Sequence, residues 1–202
     1  MKFTTTRALC ALLLVAVAAP ALADGSVNAV LGARPLKNDA YWSGHETPGG
    51  LGVMADTAMG PTLPLFLSAY GQWIVDGDST DASSNYEELN IAELALGLKL
   101  MPQSGAARPY VGAGIQRDWV SYDLGTNTTD SDFSKGWYAE GGAMFLIGRH
   151  FNLGVNLRWI KDTHVTLYGA DGDIDGRAYS LVAGYAWGDS APRHHEGRER
   201  LR

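Results

Sequence analysis

Cysteine is all but missing from this chain. Cys10 is the only one, and it falls inside an apolar N-terminal run. Downstream of it there can be no disulfide, no thiolate nucleophile and no cysteine-ligated metal. Long apolar runs are missing as well. Past Ala23 no stretch offers the roughly 18 uninterrupted apolar residues that mark a membrane-spanning helix. A chain of this kind can cross a bilayer only as a closed β-barrel, the other structure that satisfies every backbone polar group in hydrocarbon. Positive charge is scarce: 16 Lys and Arg stand against 22 Asp and Glu, for a formal net charge of −6. That balance argues against nucleic acid, whose phosphates are bound by cations.

The N-terminus carries an address. Lys2 and Arg7 precede the apolar run 8–19, and Ala21, Leu22 and Ala23 follow it. A short positive segment, an apolar core and small residues at the cleavage positions predict a secretory signal peptide over residues 1–23, cut before Asp24. The run is too short for a membrane anchor. The remainder is enough for one domain, 24–188. The charged stretch 189–202 is expected to be a disordered tail.

From Asp24 onward the pattern has period two, which sends successive side chains to opposite faces of a β-strand. It is clearest from Gly136 to Trp187. Trp137, Ala139, Gly141, Ala143, Phe145 and Ile147 alternate with Tyr138, Glu140, Gly142 and Met144. Leu153, Val155, Leu157 and Trp159 alternate with Gly154, Asn156 and Arg158. Tyr179, Leu181, Ala183, Tyr185 and Trp187 alternate with Ala178, Ser180, Val182 and Gly184. Segments 24–37, 50–59, 64–76, 89–101 and 109–122 repeat the pattern. Leu and Ala in 89–101 also suit a helix, but alternation between turn signals favours a strand.

Connections alternate between long polar loops, 38–49, 77–88, 123–135 and 170–176, and short turns, 60–63, 102–108 and 149–152. An eight-stranded up-and-down meander therefore has every long loop at one rim, with short turns and both ends at the other. The apolar face is broad and aromatic-ended, while the opposite face is rich in Gly with isolated ions. Such a barrel has its apolar side outward, in lipid. The predicted fold is an all-β, antiparallel, transmembrane eight-stranded barrel; a soluble barrel is its rival.

Strand phase then sorts the residues. Trp73, Trp119, Trp137, Trp159, Tyr179, Tyr185 and Trp187 fall outward and are expected to form interfacial aromatic girdles. Arg117 also falls outward, either at headgroup level or at a bulge. Arg34, Asp56, Glu93, Lys99, Asp118, Glu140 and Arg158 fall inward. An eight-stranded lumen is only wide enough for side chains, so these ions are expected to pair in a structural network, with a narrow ion path as the alternative. Glu140 and Arg158 are expected to be neighbours on adjacent strands.

The opening PYVGAG of the fifth strand, GWYAEGGAMFLIGRHFNLGVNLRW across a tight turn, and the closing AYSLVAGYAW resemble the OmpA-like and opacity-type eight-stranded outer-membrane β-barrels. The resemblance extends over residues 24–188 in architecture and is most specific over 109–187. It implies a bacterial outer membrane location, assembly by the outer-membrane machinery, contact with outer-membrane lipid and lipopolysaccharide, and a monomer. It also implies a structural, adhesive or antigenic role, with lipid-modifying enzymes as a minority. Such barrels usually end on an aromatic residue. Trp187 would hold that place here, although the chain continues to Arg202. No peptidoglycan-binding domain is expected after the barrel.

Chemistry has few candidates, and neither a catalytic site nor a cofactor is expected. Asp171, Asp173 and Asp175 match the first half of a calcium loop, but the twelfth position is Val182 where a bidentate acid is required. They remain weak candidates for a looser cation site, against an ordinary acidic hairpin loop. Asp78, Asp81, Glu87, Glu88, Asp130 and Asp132 make the other loops acidic. A lipid-modifying hydrolase would need histidine, a hydroxyl and an acid together at the loop rim. His164 and Thr166, placed on the inward phase of the seventh strand, are the pair to test. His45, His150, His194 and His195 lie in loops, a turn and the tail.

Overall fold

The computed structural model describes residues 24–36, 47–60, 62–78, 87–123 and 128–188. The predicted signal peptide, the tail, and most of loops 38–49 and 77–88 lie outside the described residues, as do Asp81, His45, His194 and His195.

Ten strands form. Eight close into a barrel: β1 (Gly25–Ala33), β2 (Gly49–Ala58), β3 (Leu65–Asp78), β4 (Glu87–Leu100), β5 (Ala107–Asp123), β6 (Thr129–Ile147), β7 (Phe151–Lys161) and β10 (Gly176–Trp187). Their order around the barrel is β1-β10-β7-β6-β5-β4-β3-β2, and β1 pairs with β2 on its other side. Every pairing is antiparallel, and the barrel sheet has no open edge. Closure matters here because lipid offers no partner for an orphan N–H or C=O.

Alternation carries through every barrel strand. On β7, Asn152, Gly154, Asn156, Arg158 and Ile160 are buried, while Phe151, Leu153, Val155 and Trp159 are exposed. Leu31, Leu51, Leu96, Val111, Ile115 and Leu181 stand out more than half exposed. In water such a surface would drive aggregation; in hydrocarbon it is the surface a barrel needs.

Two expectations are corrected, and one alternative is removed. Segment 123–135 is not one long loop: β5 runs to Asp123 and β6 starts at Thr129. The two strands project as a ribbon past the neighbouring ladder, whose β6–β7 pairing ends at Trp137 and Lys161. Nor does the seventh strand run on through Leu167. It stops at Lys161, Asp162 takes a positive φ of 61°, and a hairpin follows, β8 (His164–Leu167) and β9 (Ala170–Asp173). Tyr168 and Gly169, with φ of 52° and 76°, make its two-residue turn, the primed geometry that matches strand twist. Arg117 marks no bulge, because the ladders on both sides of it run unbroken.

Candidate functional site

The interior of the barrel is where the sequence places its charge, and the structure is built around it. Tyr70, Tyr110 and Tyr138 fill the lumen beside the ions. Their bulk is accommodated by glycine: a Cβ on Gly97 would collide with the Tyr138 hydroxyl, one on Gly114 with the Tyr138 ring, and one on Gly142 with Tyr110.

Two ionic clusters stack along the lumen. In the one nearer the loop rim, Arg34 donates to Glu93 at 3.1 Å and to Asp118 at 3.4 Å. Arg158 pairs with the other oxygen of Glu93. Gln116 ties the two ends together, donating to Asp118 at 2.8 Å and accepting from Arg158 at 3.3 Å. The Arg158 guanidinium lies between the rings of Tyr70 and Tyr138, 4.3 and 4.1 Å from their centroids. In the second cluster Lys99 donates to Asp56 at 2.8 Å and lies 3.6 Å from Glu140. It also sits 4.5 Å above the centre of the Tyr110 ring. All seven predicted interior ions are buried. An unpaired ion there would cost several kcal/mol, and each of the seven has an opposite charge within 3.6 Å.

Glu140 and Arg158 are register partners across β6 and β7. They do not form the ion pair that adjacency suggests: Arg158 crosses the lumen to Glu93, and Glu140 takes Lys99 and a hydrogen bond from Asn156 at 3.1 Å. Pairing across an eight-stranded lumen competes with pairing along the wall because the bore is about one long side chain wide.

Toward the loop rim the lumen turns apolar. Ile74, Leu89, Ile91 and Val120 from the wall meet Val165, Leu167 and Ile174 from the hairpin segment, with Leu36 completing the cluster. Six of these are fully inaccessible to solvent: Ile74, Leu89, Ile91, Val120, Leu167 and Ile174. The hairpin is folded over the mouth and tied down by polar contacts. Arg34 donates to the Ile174 carbonyl at 2.6 Å, joining the cap to the ion cluster beneath. Asp132 accepts from the Thr166 N–H at 2.8 Å and Asp130 from the Tyr168 N–H at 2.6 Å. The Tyr168 hydroxyl donates to the carbonyls of Tyr122 and Thr128. Alternating sequence read as wall is therefore partly lid. The Tyr168-Gly169 turn was the signal that could have revealed it.

The other candidates disperse. His164 and Thr166 are exposed on the hairpin, not inward-facing: β7 has ended, so its phase no longer applies. His164 contacts Asp173, while the Thr166 hydroxyl donates to Asp171 at 2.8 Å instead of to the imidazole. Asp175 accepts from the N–H and hydroxyl of Thr163, both at 2.9 Å, and from Lys161 at 3.4 Å. Burial raises the Asp175 carboxyl, but these donors outweigh it and hold the group below its usual range. Asp171, Asp173 and Asp175 thus serve three different contacts. Among the described residues no three His, Cys, Asp or Glu side chains converge on a common metal position.

The aromatic positions lie on the outer wall. Trp73, Trp137, Trp159, Tyr179 and Tyr185 are exposed, and Trp119 and Trp187 are half-buried. Trp119 stacks on Phe133 with centroids 6.0 Å apart. Trp73 donates to Asn90 at 3.1 Å and Trp137 to Asp162 at 2.7 Å, so both indole N–H groups find polar partners at the loop rim.

Solved structures share this architecture. OprG of Pseudomonas aeruginosa matches with a TM-score of 0.61 at 14% identity, over 82% of this chain and 96% of that one. Ail of Yersinia pestis, in complex with the heparin analogue sucrose octasulfate, matches at 0.57 and 11% identity, over 81% and 98%. Neisserial surface protein A matches at 0.53 and 14%, over 80% and 95%. At these identities the likeness is one of fold. No curated protein matches the chain. The family described as outer membrane protein beta-barrel domain matches residues 8–186. With a closed eight-stranded wall, an apolar exterior and that match over most of its length, the chain belongs to the outer-membrane β-barrel family.

Proposed function

We propose that this protein is exported with cleavage before Asp24 and stands in the bacterial outer membrane as a closed anchor. Its loop rim faces outward and does the work of surface interaction or envelope structure. The observation that carries this reading is the filled lumen: two buried ion clusters, three tyrosines and an apolar cap occupy the bore. What remains for function is the rim, where the β5–β6 ribbon and the β8–β9 hairpin brace each other. Loops on a rigid scaffold are the usual place for recognition. The hairpin's exposed Asp171 does not suit a polysulfated ligand of the kind held in the Ail structure.

The pore reading loses support from the same filling. The lipid-hydrolase reading loses support because His164 and Thr166 take separate acids. Membrane fractionation combined with planar-bilayer recording tests the proposal. Heat-modifiable migration in the outer-membrane fraction and a flat current trace are expected. Freely soluble protein in the periplasm, or steady unitary conductance, would overturn it. Altered acylation of lipid A that disappears with His164→Ala would favour the hydrolase instead.

A further inference from the structure

The outward face of the β5–β6 ribbon is a ladder of register partners. Ile115 stands opposite Trp137, which lies at the last β6–β7 pair. Beyond that row come Arg117 opposite Lys135, then Trp119 opposite Phe133, Ser121 opposite Ser131, and Asp123 opposite Thr129. Trp119 and Phe133 therefore lie four residues past the row of Trp137, about 13 Å along the strands. A charged row separates them from the apolar wall. An aromatic that anchors a barrel in lipid lies on the wall side of such charges; this pair lies on the far side.

Stacking across the ribbon, with centroids 6.0 Å apart, accounts for the pairing of the two rings. It does not account for their exposure: Phe133 is 58% exposed. Arg117 rests 4.9 Å from the centre of the same ring. The free edge of β6 does not offer these positions to a further strand. The N–H groups of Ser131 and Phe133 are taken by the carboxylates of Asp130 and Asp132, at 2.8 and 2.7 Å, whose other oxygens hold the hairpin. With those donors engaged, strand addition is disfavoured, and what is left for a partner is the side-chain face. On one flank of the aromatic pair that face carries Arg117 and Lys135. On the other it carries Ser121 and Ser131, then Asp123 with its register partner Glu88. A polyanion meets Glu88 and Asp123, and a polycation meets Arg117 and Lys135. An uncharged polyol is repelled by neither flank and hydrogen-bonds to both. A pyranose ring adds a face of C–H groups that suits an aromatic surface.

We propose that this face of the ribbon binds an uncharged oligosaccharide presented from outside the cell. The C–H face of one pyranose lies against Trp119 and Phe133. Its hydroxyls accept from Arg117 and Lys135 and exchange hydrogen bonds with Ser121 and Ser131. The site names a partner class for the surface-interaction role proposed above and rests on that reading. Phosphorylated or sulfated glycans are excluded, because they bring negative charge to Glu88 and Asp123.

The test uses the full chain, purified from cell envelopes in detergent and reconstituted in phosphatidylcholine nanodiscs. Heat-modifiable migration first establishes that the barrel has formed. The probes are maltohexaose, cellohexaose, chitohexaose, heparin and purified lipopolysaccharide. Calorimetry and saturation-transfer NMR report binding. At least one uncharged hexasaccharide should bind, more tightly than heparin or lipopolysaccharide, with saturation strongest on its ring C–H protons. Phe133→Thr should weaken that binding roughly tenfold, the loss expected for one aromatic contact. Ser121→Ala with Ser131→Ala should weaken it roughly threefold, as for a neutral hydrogen bond, and leaves the stack in place. Trp137→Phe, on the wall side of the charged row, should change nothing. Binding of none of the uncharged probes, tighter binding of heparin or lipopolysaccharide, or unchanged affinity in Phe133→Thr would overturn the site while leaving the barrel intact. Should Phe133→Thr fail to form a heat-modifiable barrel, the double serine variant decides by the same criterion. Failure of the native chain to form one would instead overturn the membrane reading beneath.

Discussion

At the scale of single residues, Glu93 is the pivot of the interior. One carboxylate holds Arg34 through one oxygen and Arg158 through the other. Replacing it by Gln leaves two buried guanidinium groups short of countercharge, and a broken buried pair costs about 3–5 kcal/mol. Glu93→Gln should lower the urea midpoint of vesicle-embedded protein accordingly. A double-mutant cycle with Arg158→Met should return a coupling above about 1 kcal/mol. Gly114 is the steric counterpart. A methyl there meets the Leu96 carbonyl, the Gly97 backbone and the Tyr138 ring together. Gly114→Ala should therefore destabilise by about 1–3 kcal/mol, the range for overpacking a filled interior, read from the same unfolding curves. Which residues face inward was legible from alternation alone. Which ion meets which was not, because Glu93 and Arg158 are 65 positions apart and their contact exists only once the wall curves shut.

At the scale of elements, the β8–β9 hairpin is the part with a measurable equilibrium of its own. It is short, pairs only with itself, and depends on the ribbon and on Asp175 for its seat. The Asp175 carboxyl is held below its usual range by Thr163 and Lys161, against burial. A value depressed in the folded state stabilises fully above the ordinary carboxylate range, and the stabilisation is lost as pH falls through the depressed value. Hydrogen exchange of the Val165 and Leu167 amides should thus be slow near about pH 7 and speed up, relative to the barrel strands, on acidification below about pH 4. Asp175→Asn should flatten that relative pH dependence. Equal protection at both pH values in the native protein would count against the carboxylate as a latch. The hairpin escaped the pattern reading because its Val165 and Leu167 continue the alternation of β7 in sequence, although Asp162 has already turned the chain.

At the scale of the whole molecule, the cap and the ion clusters are stacked layers that fill the same bore, joined through Arg34. Removing residues 164–173 takes away Val165 and Leu167 but leaves the Arg34–Glu93–Arg158 and Asp56–Lys99–Glu140 layers beneath. The deletion variant should therefore remain silent in a planar bilayer, while limited proteolysis at the rim should become faster. A conductance that appears with the deletion alone would mean that the hairpin is the only gate. The outer wall makes the complementary point. Its apolar face stabilises nothing in water and becomes favourable only when lipid replaces solvent, so the fold and its location are physically one property.

The number of barrel strands, their phase, the inward ions and the outward aromatics were determined by local sequence, because a period of two and the placement of turn residues are written in consecutive positions. The pairing of Arg158 with Glu93 and the folding of β8 and β9 across the mouth were decided only by tertiary structure. Each of these depends on register and closure, which bring distant residues within a few ångströms and which no single strand encodes.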